Sequence, residues 1–388
     1  MIKNNFTQNF TNKYQKLSTP NFEYDYIIVG AGLFGAVFSF LLNQKGKKCL
    51  VIDKRKHIGG NIFCENIESI NVHKYGPHIF HTSNKKIWDF VNTFVDFNRF
   101  TYSPLACYKD KLYNLPFNMN TFKQLWKTAK PEHAKKIIND QRKEFQSVNP
   151  KNLEEQALKL VGEELYQYFI KGYTEKQWGR NAKDLPVFII NRIPIRFTFD
   201  NNYFDDLYQG IPIGGYNTLI NKLFEGIEVK LSTEFFENKE LFENNAKKIL
   251  FTGRLDEFYN YAFGELDYRS LSFETEILAL DNYQGNAAIN YTERDIPFTR
   301  IIEHKHFEFG QQSHTVITKE YPAPFTRLNE PFYPINDATN NKTFSRYKEK
   351  GGNQKKYIFG GRLADYQYYD MDDTIEAAFR LAEKEMVL

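Results

Sequence analysis

The feature that most constrains this chain is a G-x-G-x-x-G run, Gly30 to Gly35, placed between a predicted strand and a predicted helix. Tyr26 to Val29 is apolar and β-branched, which is typical of a strand buried on both faces. Leu33 to Gln44 has apolar residues at helical spacing, and Lys48 to Ile52 again has the pattern of a buried strand. Together these segments predict a βαβ unit within about thirty residues.

In this context the three glycines predict a dinucleotide site. Gly30 permits the tight turn, Gly32 lets the backbone approach a pyrophosphate, and Gly35 allows the helix to pack closely on the strand. The helix N-terminus supplies unpaired N–H groups and a partial positive charge. Asp53, about twenty residues further on, is suited to accept hydrogen bonds from a ribose and disfavours a 2′-phosphate. A glycine-rich turn that binds nothing is the minor alternative.

The continuation after Asp53 favours FAD over NAD. A basic cluster beginning at Lys54 precedes a second glycine pair, Gly59 and Gly60, followed by Asn61. This arrangement resembles the flavoprotein version of the dinucleotide fold in relatives of glutathione reductase and amine oxidases. No second G-x-G-x-x-G occurs at a strand–helix junction, so a separate NAD(P)H domain is not expected. The flavin is then reduced by an electron donor outside the chain, or the reaction consumes no electrons overall.

Length, charge and cysteine content exclude several other classes. The 388 residues suit two or three domains, and no run approaches the ~20 apolar residues that span a bilayer. The net charge of +3, without blocks of like charge, predicts no nucleic-acid partner. Cys49, Cys64 and Cys107 have no C-x-x-C spacing, so we expect neither disulfides nor zinc, and a reducing, cytoplasmic location. Residues 1–23 are polar, lack a secretory pattern and are expected to form a loose arm.

The rest of the chain alternates between helical and strand patterns. Residues 118–178 carry long amphipathic patterns that predict a mainly helical region. Phe197 to Phe199 and several segments between Ser270 and Lys319 predict an antiparallel sheet. Tyr357 to Phe359 predicts another buried strand, and Asp373 is expected to cap a final helix.

Two histidines and three arginines are candidates for site residues. A metal site at His78 and His81 is disfavoured because no third ligand follows at a useful spacing, which leaves loop packing or contact with the flavin. Arg192, Arg300 and Arg362 lie among apolar or aromatic neighbours, where a desolvated guanidinium needs an anion. Surface salt bridges are the alternative. Further O–H donors are available from Tyr203, Tyr333, Tyr366, Tyr368 and Tyr369.

Four motifs occur in one order along the chain: YGPHIFHT (75–82), GYTEKQWGR (172–180), FTRIIEHKH (298–306) and FGGRLADYQYYDMD (359–372). In these motifs, and along nearly the whole chain from Tyr24, the sequence resembles the bacterial UDP-galactopyranose mutase family. The resemblance implies an α/β fold with a discontinuous, Rossmann-like FAD-binding domain, an inserted helical domain and an antiparallel substrate domain. The expected boundaries are 24–95, 205–265 and 340–388 for the first, 118–178 for the second, and 96–117, 179–204 and 266–339 for the third.

The resemblance also implies a reaction without net redox, in which N5 of reduced FAD attacks the anomeric carbon of UDP-galactopyranose and UDP-galactofuranose forms. Arg192, on a mobile loop, and Arg300 are the implied catalytic residues. The implied substrate-binding residues are Asn98, Tyr173, Thr174, Trp178, Tyr203, Asn290, Glu320, Tyr333 and Tyr368. The implied cofactor residues are Gly30, Gly32, Phe34, Gly35, Asp53, Lys54, Gly60, Asn61, His78, Ile79, His81, Arg362, Asp370 and Met371.

The family resemblance further implies a homodimer, an external reductant such as NAD(P)H, and a role in cell-surface polysaccharide synthesis. The alternative function is an FAD-dependent oxidase or dehydrogenase of the amine-oxidase type, which needs a substrate-oxidising pocket and no paired arginines. A third hypothesis is a flavin-stabilised binding protein without turnover.

Overall fold

This computed structural model describes residues 22–190 and 193–387. The strands are β1 Tyr24–Val29, β2 Cys49–Ile52, β3 Cys64–Ile67, β4 Ile70–His73, β5 Phe80–Thr82, β6 Leu105–Tyr108, β7 Lys111–Asn114, β8 Tyr208–Gly210, β9 Glu228–Lys230, β10 Ala246–Phe251, β11 Tyr268–Leu278, β12 Ala288–Tyr291, β13 Arg300–Glu303, β14 Thr315–Pro324, β15 Tyr333–Pro334 and β16 Tyr357–Phe359. The helices are α1 Leu33–Asn43, α2 Lys85–Asn92, α3 Met119–Trp126, α4 Pro131–Arg142, α5 Leu153–Val161, α6 Glu163–Leu165, α7 Gly172–Trp178, α8 Tyr216–Leu223, α9 Lys239–Asn245, α10 Leu255–Phe258, α11 Ala338–Gly352 and α12 Met371–Val387. Apart from residues 22 and 23, the predicted arm lies outside the described residues.

A parallel sheet forms the dinucleotide-binding part of the fold. Its order is β16-β10-β1-β2-β9, and the predicted β1-α1-β2 unit lies at its centre. Ile27, Ile28 and Ile52 have no exposed surface, which explains the continuous apolar runs of these strands. Val29 pairs with both Ile52 and Phe251, so the carboxyl ends of β1, β2 and β10 meet at one edge. The Rossmann-like α/β class predicted from the sequence is confirmed.

A second sheet has the order β15-β11-β14-β13-β12-β6-β7. It is antiparallel, as expected, except that β6 pairs with β12 in parallel. The predicted strand at Phe197–Phe199 is wrong, because these residues form a bend. The carbonyl oxygen of Thr198 accepts a hydrogen bond from Met119 N at 2.9 Å, so this backbone caps the start of α3 and does not join a ladder.

The helical region from α3 to α7 has a hydrophobic core of its own. Phe122, Leu165 and Tyr166 are fully buried there. The last helix begins at Met371, so Asp373 lies within its first turn and not at the cap as predicted. No helix in residues 22–190 or 193–387 is long and apolar enough to cross a membrane.

Candidate active site

The carboxyl edge of the parallel sheet borders a cavity of about 290 Å³. Gly30 has φ +119°, and a Cβ there would lie 2.1 Å from Thr252 Oγ1. A Cβ on Gly35 would lie 2.1 Å from the carbonyl oxygen of Gly30. A Cβ on Gly32, in contrast, would meet nothing closer than Gly60 Cα at 3.7 Å. Gly30 and Gly35 are therefore required by the turn itself, whereas Gly32 leaves space for a ligand.

Asp53 is fixed at the edge of this cavity by backbone donors. Its Oδ2 accepts from Ala31 N at 2.8 Å and its Oδ1 accepts from Arg55 N at 2.8 Å. The Arg55 guanidinium extends to Asn61 and forms an ion pair with Glu330 at 2.8 Å. The loop after β2 is thus tied to the segment before β15, and the carboxylate of Asp53 is oriented before any ligand binds.

The structure brings most of the predicted cofactor residues to this cavity. The lining includes Gly30, Gly32, Phe34, Asp53, Lys54, Gly60, Asn61, His78, Arg362 and Met371. Gly35 does not line the cavity but packs against the backbone of Gly30 in the turn. Ile79, His81 and Asp370 line the neighbouring cleft.

That neighbouring cleft measures about 670 Å³ and shares His78, Arg362, Tyr369 and Met371 with the first cavity. The two spaces are therefore adjacent and share one wall. The predicted catalytic residue Arg300 lines the cleft, as do the predicted substrate-binding residues Tyr173, Thr174, Trp178, Tyr203, Asn290, Tyr333 and Tyr368. They come from α7, β12, β13, β15 and the segments before β8 and α12, which converge from distant parts of the chain.

Arg300 is a largely buried cation in the wall of the cleft. Its Nε lies 3.1 Å from Glu320 Oε1, and its Nη2 donates to the hydroxyl of Tyr173 at 3.2 Å. Burial is the largest influence and would lower the pKa of Arg300, but Glu320 together with the neighbouring tyrosines raises this pKa well above the usual range. The guanidinium is permanently charged and suited to bind an anion such as a diphosphate.

Phenol groups surround Arg300. Desolvation by the surrounding protein is the largest cause of the raised pKa values of Tyr173 and Tyr333. Tyr203 and Tyr368 are more accessible, with 37% and 53% of their surface exposed. Tyr333 and Tyr368 also stack, with ring centroids 5.8 Å apart. At neutral pH these side chains are neutral and can donate O–H hydrogen bonds to a ligand.

The two histidines have different surroundings. His78 Nδ1 is bonded to the carbonyl of Gly76 at 2.8 Å, and burial lowers the pKa of His78 to about 4, with Arg362 and Arg300 also contributing. His78 is therefore neutral at neutral pH. His81 Nδ1 lies 2.7 Å from Asp206 Oδ2.

Some predicted site residues do not reach the cleft. Asn98 supports a loop, because its amide bonds to backbone groups of Phe100, Ile211 and Phe307. Glu320 lies behind Arg300 and does not line the cleft. The Tyr366 hydroxyl donates to Asp267 O at 2.6 Å within a separate core. Arg192 lies outside the described residues.

The structure adds lining residues that the sequence did not indicate, notably Tyr102, Phe117, Phe169, Phe204 and Thr292. The aromatic members have the patterns of ordinary core residues, so no local signal distinguishes them. Among the described residues, no cluster of three His, Cys, Asp or Glu side chains is arranged to hold a metal.

Comparison with known proteins identifies similar chains. A family model described as UDP-galactopyranose mutase matches residues 168–368, and one described as an NAD(P)-binding Rossmann-like domain matches residues 28–94. A dTDP-fucopyranose mutase from Escherichia coli is 39% identical, with 92% of this chain and 97% of that protein covered. A probable UDP-galactopyranose mutase from Klebsiella pneumoniae is 38% identical, with 92% and 94% covered. A UDP-galactopyranose mutase from Mycoplasma pneumoniae is 32% identical, with 95% and 98% covered.

Solved structures share the fold. A crystal structure of reduced UDP-galactopyranose mutase matches with a TM-score of 0.71 at 15% identity and covers 94% of each chain. A putative protoporphyrinogen oxidase from Exiguobacterium sp. 255-15 matches with a TM-score of 0.62 at 14% identity, covering 93% of this chain and 98% of its own. At such identities the two structures inform on the fold alone.

Proposed function

The chain belongs to the UDP-galactopyranose mutase family, and from its site we propose that it uses reduced FAD to interconvert UDP-galactopyranose and UDP-galactofuranose. The observation that carries the proposal is that the two cavities are adjacent and share four lining residues. The space beside Gly32 borders a cleft that is lined by a largely buried arginine and a set of neutral phenols. A dinucleotide in the first space thus meets a nucleotide sugar in the second.

The residues of the first cavity fit FAD. The space left open at Gly32 suits a pyrophosphate at the start of α1, where free N–H groups and the helix dipole favour an anion. Asp53 would accept from a ribose, and Lys54 and Asn61 line the same space. His78, Arg362 and Met371, at the junction, would then contact the flavin ring system. Bound and reduced, FAD supplies a nucleophilic nitrogen for the anomeric carbon.

The side chains of the cleft would bind the diphosphate, stabilise the leaving UDP and exclude water. Arg300, paired with Glu320, stabilises the negative charge that grows on UDP as its bond to the sugar breaks. Tyr173, Tyr333 and Tyr368 donate hydrogen bonds to the same diphosphate. Apolar walls that include Phe117 and Phe169 exclude water, which strengthens these interactions and protects the sugar from hydrolysis. Arg192 is proposed as the second arginine of this clamp.

The test is to incubate purified protein with UDP-galactofuranose, with and without dithionite, and to separate the nucleotide sugars by chromatography. Conversion to UDP-galactopyranose only after reduction is expected. Bleaching of the oxidised flavin by a substrate under anaerobic conditions, without isomerisation, would instead indicate an oxidase. Conversion without any bound flavin would refute the proposed role of the cofactor.

The same assay should be carried out with a second nucleotide sugar, dTDP-fucose. The 39% identity to a dTDP-fucopyranose mutase equals, within one per cent, the identity to the Klebsiella protein. We therefore propose dTDP-fucose as the alternative substrate. Competition between the two sugars in one reaction measures the ratio of kcat/KM directly, and a ratio far from one identifies the physiological substrate class.

A further inference from the structure

His81 is held in the wall of the cleft by an aspartate behind it. Its Nδ1 lies 2.7 Å from Asp206 Oδ2, and the other carboxylate oxygen accepts from Ser83 Oγ at 2.7 Å. The imidazole stacks on Phe204, with centroids 3.7 Å apart. Because the Asp206 carboxylate can only accept at this position, neutral His81 adopts the tautomer in which Nδ1 carries the ring proton. The lone pair of Nε2, on the opposite side of the ring, is then available to another partner.

Asp370 is a second carboxyl group near the same ring. It precedes α12, lines the cleft with His81, and its carboxylate makes no hydrogen bond within the described part of the chain. Burial raises the pKa of Asp370, and His81 is the main charge that opposes this rise. Asp373, Asp372 and Asp206 act in the same direction as burial and raise this pKa further. The arginines that line the same cleft are Arg300 and Arg362.

The chemistry of the proposed function, on which this inference rests, requires one internal proton transfer. Converting a pyranose to a furanose breaks the C1–O5 bond and forms a C1–O4 bond. The hydroxyl proton on O4 must therefore leave, and O5 must gain one. No proton is consumed overall, so a single group that first donates and then accepts is sufficient.

We propose that His81 is this acid–base residue and that Asp206 is the positioning residue that fixes its tautomer. As the ring opens, the C1–O5 electron pair remains on O5, which takes the proton from Nε2 of the imidazolium. As the ring closes, O4 bonds to C1 and its proton returns to Nε2. Bound reduced flavin would provide the electron pair that C1 needs while the ring is open, so no oxidant or reductant is consumed overall. Asp370 stabilises the imidazolium that is present before the ring opens and again after it closes.

Substitution of His81 by Asn separates proton transfer from loop position. Asparagine keeps an N–H donor toward Asp206 but has no atom equivalent to Nε2. We expect kcat of the reduced holoenzyme to fall by about 10²-fold or more, the usual worth of general acid–base catalysis, while KM and the Kd for UDP stay within about twofold. Free imidazole should restore part of kcat to His81→Ala. His133→Gln, on the exposed side of α4, is the matched control and should leave kcat unchanged.

Substitution of Asp206 by Asn tests the positioning role with a readout that is independent of turnover. In ¹⁵N-histidine-labelled holoenzyme, which contains eight histidines, we expect the His81 resonances to change from the Nδ1–H form to a mixture of tautomers. The kcat should fall by about tenfold, less than for His81→Asn.

Retention of kcat within about threefold in His81→Asn would overturn the proposal, since general acid–base groups contribute ~10²-fold or more. So would an Nε2–H tautomer in the wild type, or a failure of imidazole to rescue His81→Ala. A reduced wild type that converts neither nucleotide sugar would overturn the proposed function instead, and this inference with it.

Discussion

Replacing Glu320 by Gln tests how far Arg300 depends on its buried partner. The side chains of Glu320 and Arg300 are 1% and 19% exposed, and Nε and Oε1 are 3.1 Å apart. Removing one member of a buried ion pair costs about 3–5 kcal/mol because the other charge remains desolvated. Glutamine keeps an oxygen that can accept from Thr299 Oγ1. We therefore expect the lower end of this range, a loss of about 3 kcal/mol in the free energy of unfolding.

The same substitution should have the opposite effect on ligand binding. Without Glu320, the diphosphate of UDP becomes the counter-ion of Arg300, so ligand binding relieves the desolvated charge. If a third of the ~3 kcal/mol is recovered in this way, the Kd for UDP falls about fivefold. Linkage then requires that saturating UDP reduces the stability difference between variant and wild type.

Urea unfolding followed by circular dichroism, with and without UDP, and titration calorimetry measure both quantities. Arg300→Met and the double variant Arg300→Met with Glu320→Gln complete a double-mutant cycle, in which the double variant should lose less stability than the sum of the singles. A loss below ~1 kcal/mol in Glu320→Gln, the value of an exposed pair, would refute the reasoning. Weaker binding of UDP by Glu320→Gln than by the wild type would refute the prediction that the diphosphate becomes the counter-ion of Arg300.

Three further predictions concern cofactor binding and pH. Gly32→Ala should fold normally but lose bound flavin, which absorbance measures. Gly35→Ala should instead lose about 1–3 kcal/mol in the free energy of unfolding, because its Cβ meets the carbonyl oxygen of Gly30. Burial would raise the pKa of Glu303, but hydrogen bonds from His306 and two backbone N–H groups lower it to about 2. The ionised Glu303 therefore contributes up to ~3 kcal/mol to the free energy of unfolding above pH 4.5, and this contribution is lost as the pH falls toward 2. Glu303→Gln should lack it, so the stabilities of wild type and variant should converge in acid unfolding curves. Burial lowers the pKa of Lys176 to about 8. Between pH 8 and about 10.4 the unfolded state binds more protons, so wild-type stability should rise with pH relative to Lys176→Met in urea unfolding.

The cofactor side of the site was largely predictable from the sequence because it depends on local order. The turn at Gly30, the start of α1 and the position of Asp53 all follow from β1-α1-β2 within about thirty residues. Strand and helix periodicity sufficed to assign that unit. The misplaced strand at Phe197–Phe199 shows the limit, since an alternating pattern does not reveal that its backbone bonds to the start of α3.

The sequence by itself thus determined the α/β class, the dinucleotide turn and, through four motifs, the family. Only the tertiary structure decided the partners of each charge. Arg300 and Tyr173 are 127 positions apart, and His81 and Asp206 are 125 apart. The positions of Asn98 and Glu320 outside the cleft were decided in the same way. Periodicity reports which face of an element is buried, but side chains from separate elements meet only when those elements pack against each other, so no local pattern encodes which acid faces which base.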